Sequence, residues 1–531
     1  MNSWIRIANL EVLIIQKNAQ TIIMKINIIG GGISGLSLGC FLQMRGFETQ
    51  IFEKHSVSGG LCSSWGKGEF TFDGCLHWVL GSDSGSAFFK LWSELLDMKS
   101  IEFINHEVRV VIELKNNADK YGNKVFRLYT NIEKLEAYLL DLAPEDRVTI
   151  RSLVKLIRVM QSYELPPMIE NISQLQPLKQ KMGMIKYLPF VFKYLRWKNE
   201  TNFSFARKFK NLFIKEALEL LFDGDEVNLM VMAMPLAYFD KKSAGYPIGG
   251  SAKFAGRIAD KYKSLGGSTR CNTEVQKIIV EDNAAKGVLL KDGTSDYSDI
   301  TVSATDWYFT VFNALEGRYV NDNLKELAQL KRLEVYPSIM LVSLGVSRDF
   351  KEYPHFFRFP VEDEYTSPDG TVYNRIEAHI YHYDRTFAPE GKTVIAMSFY
   401  TRNGDFWINL RESNREEYNR CKVLFAAAMI EFLDKKIGGL KESIEETDIS
   451  TPATYYRYTG NWKGSAQGWF PSKNLLASSP VSPTLPGLKN FYYTSHWSIP
   501  GGGLPSALKS AHDLAQIISL KHKHKRSGKN Y

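Results

Sequence analysis

A doubly wound α/β fold is what this sequence predicts, and three stretches carry the expectation. Near the start, the apolar run Ile26–Ile29 leads into glycines at 30, 32 and 35, a helical stretch, and a second short strand ending at Glu53. Far downstream, Tyr246-Pro-Ile-Gly-Gly-Ser251 opens another helical stretch. Near the end, a strand feeds Pro500-Gly-Gly-Gly-Leu504 and then a helix. Strands joined to helices through glycine turns are the sequence pattern of a parallel sheet with crossover helices.

Length and composition set the bounds. At 531 residues the chain exceeds one compact core, so two domains are expected. Its 44% hydrophobic and 23% charged residues are those of an ordinary globular protein. A net charge of +8 is small for this size, and no basic stripe interleaved with aromatics suggests a nucleic-acid partner. The five cysteines, Cys40, Cys62, Cys75, Cys271 and Cys421, are scattered without C-x-x-C spacing. That pattern predicts a reducing cytoplasm, with neither a disulfide framework nor a metal site. No run reaches the roughly eighteen apolar residues that span a bilayer.

In the first stretch each part has a physical job at a dinucleotide site. Gly30 permits a tight turn, Gly32 lets backbone approach a pyrophosphate, and Gly35 lets helix and strand pack closely. Residues 33 to 45 suit a helix whose N-terminus offers free N–H groups to an anion, and Gly46 suits its stop. Gln50–Phe52 reads as the next strand, and Glu53 at its end suits a ribose hydroxyl while disfavouring the extra phosphate of NADP.

Further along, Phe70-Thr-Phe-Asp73-Gly precedes His77, and Asp73 reads as a turn or cap residue. Residues 86 to 235 alternate helical periodicity with short polar breaks. Within them, 184–198 suits an amphipathic helix with Met184, Leu188, Val191 and Leu195 on one face and Lys186 and Lys193 opposite. It predicts either packing on its own domain or contact with a membrane surface. Thr273–Val280 is a β-branched run, Asp292-Gly293 a hairpin turn, and Thr301–Asp306 the next strand. From Leu333 to about Pro480 the chain reads as strand-rich, with Ser338–Val346 and Thr393–Tyr400 as strands, Tyr458 as a strand aromatic and Glu416–Leu433 as a helix. Past Leu520, KHKHKRSGKN reads as a solvated basic tail in which His522 and His524 are poor metal evidence.

Gly59-Gly60 followed by Leu61-Cys62 extends the first stretch into something that resembles the FAD fingerprint of glutathione-reductase-like flavoproteins, in the amine oxidase branch. The segment from Phe70 to His77, the P-x-G-G-S block and the Pro500–Leu504 block resemble, in order, three further segments of phytoene desaturases, carotenoid isomerases and retinol saturases. The likeness covers nearly everything from Met24 to Leu520. Met24 stands where such proteins usually begin, so residues 1–23 read as an extension without the features of a signal peptide.

The resemblance implies FAD rather than NAD. It implies a Rossmann-like FAD-binding domain built from the discontinuous segments 24–85, 236–312 and 486–520. An α+β substrate domain, 86–235 and 313–485, is inserted between them, and 521–531 forms the tail. The implied FAD contacts begin with Gly30, Gly32, Ile33, Ser34 and Gly35, then Glu53 and Lys54, then Gly60, Leu61 and Cys62. His77, Val275, Trp497 and Gly501, Gly502, Gly503 and Leu504 complete them. Leu61 stands where many members carry a cation, so backbone N–H groups have to serve there. His77 and His496 are the candidate proton donors, because imidazole titrates near neutrality.

The implied activity is the addition or removal of hydrogen across a carbon–carbon bond of a long apolar, isoprenoid-like substrate, with an electron acceptor the sequence does not name. Polyene isomerisation without net redox and amine oxidation are the enzymatic alternatives. Prenyl-lipid binding without flavin, as in Rab GDP-dissociation inhibitors of the same fold, is the non-enzymatic one. A cytoplasmic protein touching the inner face of a membrane through 184–198, from a bacterial source, is the remaining expectation.

Overall fold

The computed structural model describes residues 23–162, 197–222, 224–471 and 481–522. Lys25–Ile29 (β1) lies at the centre of a five-stranded parallel sheet, followed by the helix Ile33–Met44 (α1) and the strand Glu48–Phe52 (β2). The other members come from far along the chain: Ser268–Arg270 (β3), Ile300–Ser303 (β4) and Phe491–Tyr493 (β5). The order is β3-β2-β1-β4-β5, with every pair parallel. This is the doubly wound arrangement, and it is discontinuous as expected.

Because successive side chains on a strand point to opposite faces, the apolar run of β1 serves two cores. Ile26 and Ile28 meet α1 and the helices Gly250–Ser264 and Gly503–His522, while Ile29 and Phe52 face the other way. That second face is covered by an antiparallel sheet of Val275–Glu281, Ala284–Leu290 and Ser295–Tyr297, together with residues running on to Leu333. Ile26 and Ile28 are fully buried, each stabilising the fold by roughly 1.5–3 kcal/mol.

The cores run past two of the expected boundaries. Trp92, Leu95, Leu96, Met98 and Ile101 join the core of the parallel sheet, beyond residue 85. Trp92 holds its place there by packing edge-on to Phe254 at 5.1 Å and donating its Nε1–H to the carbonyl of Leu80 at 3.0 Å. Likewise Leu315, Leu324, Leu327 and Leu333 belong to the second core, beyond residue 312.

The inserted domain is built on a seven-stranded sheet. Its order is Ile444–Ser450, Ser338–Val346, Thr393–Thr401, Val372–Ile380, Phe356–Thr366, Val108–Glu113, Val125–Tyr129. The stretch expected to be helical between 86 and 235 thus gives this sheet its last two strands. The helix Arg415–Ile437 backs it, longer than expected at both ends.

Two local readings are corrected. Tyr458 lies in a helix, Pro452–Thr459, not in a strand. Thr451 forms a capping box with Thr454, Pro452 occupies the first turn, and Gly460 closes the end at φ +74°. His522 is not solvated: it ends the last helix, buried, with Nε2 3.3 Å from the hydroxyl of Tyr492. The amphipathic stretch 184–198, apart from Trp197 and Lys198, lies outside the described residues, as do 1–22 and 523–531. Among the described residues no helix is long and apolar enough to cross a membrane.

Candidate active site

The glycine turn after β1 is held from two sides. Gly30 adopts φ +97° and donates to the carbonyl of Phe52 at 2.8 Å. A Cβ on Gly35 would stand 2.0 Å from the carbonyl oxygen of Gly30, so only glycine lets α1 start this close to the strand. Gly59 donates to Gly31 at 2.9 Å, which lays the Gly59-Gly60 loop against the turn. At Gly32, by contrast, the nearest atom to an added Cβ would be 3.8 Å away. Gly32 is also the N-cap of α1 and supplies no side-chain cap, so the first N–H groups of that helix are left for an outside acceptor. A second helix N-terminus lies at Gly503, the last of three consecutive glycines, all with positive φ.

These two termini open on one cavity of about 2360 Å³ that continues into the inserted domain. A drug-sized ligand occupies a pocket of roughly 300–1,000 Å³, so this one has room for a dinucleotide and a second molecule. The residues fit an anionic dinucleotide: bare backbone, two helix N-termini and a carboxylate at the end of β2. Glu53 is buried, with Oε2 accepting from Gly31 N at 2.7 Å and Oε1 from His55 N at 2.8 Å.

Of the residues expected to touch the cofactor, Gly30, Gly32, Ile33, Ser34, Glu53 and Lys54 line the cavity. So do Gly60, Leu61, Cys62, His77 and Val275, and at the far terminus Gly501, Gly502, Gly503 and Leu504. Gly35 and Trp497 do not. Gly35 is spent on packing, and Trp497 is fully buried with Nε1–H donating to Asn461 Oδ1 at 3.0 Å. Asp73 caps both its own turn and a distant helix. Its carboxylate accepts from Ser64 Oγ, Cys75 N, Ser251 N and Ser251 Oγ, pinning the start of the helix Gly250–Ser264. Tyr458 lines the cavity at the end where its ring meets His55 edge-on at 4.9 Å, near Glu53 rather than over the inserted domain.

The two candidate proton donors are corrected by their surroundings. His77 stacks on His379 at 4.1 Å, and burial, followed by His379 and Arg109, pushes it well below the usual histidine range. Burial pushes His496 down to about 4, and its Nε2 has no hydrogen-bond partner. Both rings face the cavity as neutral imidazoles at neutral pH, and a neutral imidazole is a poor acid.

Sequence reading missed the polar floor of the inserted domain. Arg358 and Glu377 face each other across neighbouring strands, with Nε donating to Oε2 at 2.7 Å. Phe356 opposes His379 in the same ladder and stacks on it at 3.9 Å. The alternation Glu377, His379 on a strand was visible, but which strand lies opposite depends on register.

The family described as an NAD(P)-binding Rossmann-like domain matches residues 28–95. The chain is 25% identical to a prolycopene isomerase of Arabidopsis thaliana, over 93% of this chain and 83% of that protein. It is 22% identical to a 4,4'-diapophytoene desaturase of Methylomonas, over 93% and 95% respectively. It is 24% identical to a neurosporene-forming phytoene desaturase of Rhodobacter capsulatus, over 92% and 93%. Among solved structures, an oxidoreductase from Methanosarcina mazei matches with a TM-score of 0.55 at 16% identity, covering 92% of this chain and all (100%) of that one. Cyclohexylamine oxidase from Brevibacterium oxydans matches at 0.53 and 15%, covering 93% and 99%. These structures share the fold. With its glycine cradle and its full-length likeness, the chain stands beside the phytoene desaturases, carotenoid isomerases and retinol saturases as a Rossmann-fold oxidoreductase with a site for a flavin or nucleotide cofactor.

Proposed function

We propose that this protein is an FAD-dependent oxidoreductase that adds or removes hydrogen across a carbon–carbon bond of a long apolar, isoprenoid-like molecule. The observation that carries the reading is the single cavity joining the glycine cradle to walls such as Leu128, Met230, Leu236, Phe239 and Phe356. FAD is favoured over NAD by the Gly59-Gly60 loop against the first turn and by the second helix N-terminus at Gly503. When bound, FAD supplies hydride transfer at its N5.

The chain's own residues hold and exclude. Backbone N–H groups at Gly32 and Gly503 neutralise the anion, and Glu53 fixes the first turn while facing the cavity. His77, backed by His379 and Phe356, presents a flat neutral face toward which an extended apolar chain packs. Neither His77 nor His496 carries the extra proton of an imidazolium at neutral pH. That lack counts against adding hydrogen, which needs a proton donor, and leaves room for a second reading, isomerisation of a polyene, the activity for which the plant relative is named.

Anaerobic incubation of the purified protein with a C40 isoprenoid polyene, with oxidised FAD in one arm and dithionite-reduced FAD in the other, separates the two. A product lighter or heavier by two hydrogens supports redox, and a product of equal mass supports isomerisation. A protein that takes up no FAD, judged by its visible absorbance after dialysis, overturns both.

A further inference from the structure

Arg109 projects from the strand Val108–Glu113 into the cavity, where a hydrocarbon substrate has no use for it. Its guanidinium carbon lies 5.1 Å from the ring centroid of Phe356 and 5.4 Å from that of Phe239. Among the described residues it makes no ion pair and no side-chain hydrogen bond; its guanidinium packs against those two rings. Glu377 is already held by Arg358, whose other donors go to the carbonyls of Leu220 and Leu221 at 3.0 Å.

The charges that bear on Arg109 are therefore two cations, itself and Arg358, against the single carboxylate of Glu377. Among the described residues no second carboxylate bears on it, and the other groups that do, Tyr383 and Tyr400, are phenols. His77, His106, His355 and His379 are all pushed down by burial and stay neutral, and Tyr383 is pushed up. Burial lowers Arg109 itself, to about 10, which leaves it charged at neutral pH. Burying a cation without a counter-charge is costly, and an all-apolar wall of the same shape would serve a hydrocarbon better. With Phe356 and Phe239 beside it, its N–H groups remain for a planar anion.

We infer that Arg109 is a binding residue for a carboxylate, and that the substrate is an apolar chain bearing one anionic end rather than a pure hydrocarbon. The excess of one positive charge matches a carboxylate better than a doubly charged phosphate ester. This inference rests on the proposed reading of the cavity as the substrate site, but its test does not require turnover.

The probes are geranylgeranoic acid, geranylgeraniol and geranylgeranyl phosphate, titrated into the FAD-loaded protein and followed by tryptophan fluorescence. The acid should bind about 10- to 100-fold more tightly than the alcohol of the same chain. Arg109→Gln should abolish that difference, and Arg109→Lys should keep part of it, with the visible FAD absorbance unchanged in both. Equal affinity of wild type for acid and alcohol overturns the inference without any variant. So does an equal loss for both ligands in Arg109→Gln, and tighter binding of the phosphate than of the acid overturns the single-charge assignment. Selective acid binding without redox or isomerisation would leave the inference standing and sink the proposed activity instead.

Discussion

The carboxylate of Glu53 accepts the backbone N–H of Gly31 at 2.7 Å, across the tip of the parallel sheet. Its other oxygen accepts from His55 at 2.8 Å, so one side chain fixes both the first glycine turn and the exit of β2. The sequence placed Glu53 at a ribose; the structure adds that it shapes the turn.

Glu53→Gln tests that second role. A glutamine keeps one acceptor oxygen and turns an NH2 group toward a backbone N–H, leaving a buried donor unmet. Such a loss costs roughly 1–3 kcal/mol, or about 5- to 150-fold if it falls on FAD affinity. Titration of the dialysed protein with FAD measures it, and an unchanged affinity would remove the turn from the account.

Gly35→Ala should strain the fold itself rather than one hydrogen bond. The added carbon would stand 2.0 Å from the carbonyl oxygen of Gly30, backbone against backbone with no side chain able to yield. Overpacking of this kind costs on the order of 1–3 kcal/mol or more. We expect a lower melting temperature and a colourless protein. A variant that purifies with full visible absorbance would show that α1 can retreat from β1 without loss of the cradle.

What the sequence made legible was local. Gly30, Gly32 and Gly35, the paired Gly59-Gly60 and the strand before Pro500 declare a backbone geometry that few other residues permit. The parallel sheet followed from them. Thr451, Pro452 and Gly460 also spelled out a helix, and the strand reading of Tyr458 overrode those signals in favour of its β-branched and aromatic neighbours. The floor of the cavity was not legible, because Arg109, Arg358 and Glu377 meet through strand pairing between residues 108–113, 356–366 and 372–380. Nor could sequence say that His77 is neutral, since burial and the stacked His379 decide that.

If His77 is a neutral wall, then His77→Phe should be nearly silent. Phenylalanine keeps a flat ring against His379, so turnover should stay within about threefold of wild type. General acid catalysis contributes about 10²- to 10⁴-fold. Steady-state rates with FAD content held equal decide the matter: a loss of a hundredfold or more would restore His77 as the proton donor.

Asp306 makes the pH dependence of stability testable. Its buried carboxylate accepts N–H groups from Phe309 and Trp462, each at 2.9 Å, joining the turn after β4 to the loop of the inserted domain. Burial outweighs those two hydrogen bonds and pushes its pKa up to about 7. An unfolded aspartate releases its proton near 3.9. Between about pH 4 and pH 7 the folded protein therefore holds a proton that the unfolded chain has lost. Stability contributed by this group is present below pH 4 and falls as pH rises through that window, by a few kcal/mol at most. Asp306→Asn never ionises and still offers a carbonyl oxygen to the two N–H groups. Its melting temperature relative to wild type should rise from pH 4.5 to about pH 7 and level off above it. Parallel melting curves for the two proteins across that range would mean that Asp306 is ionised in the fold throughout.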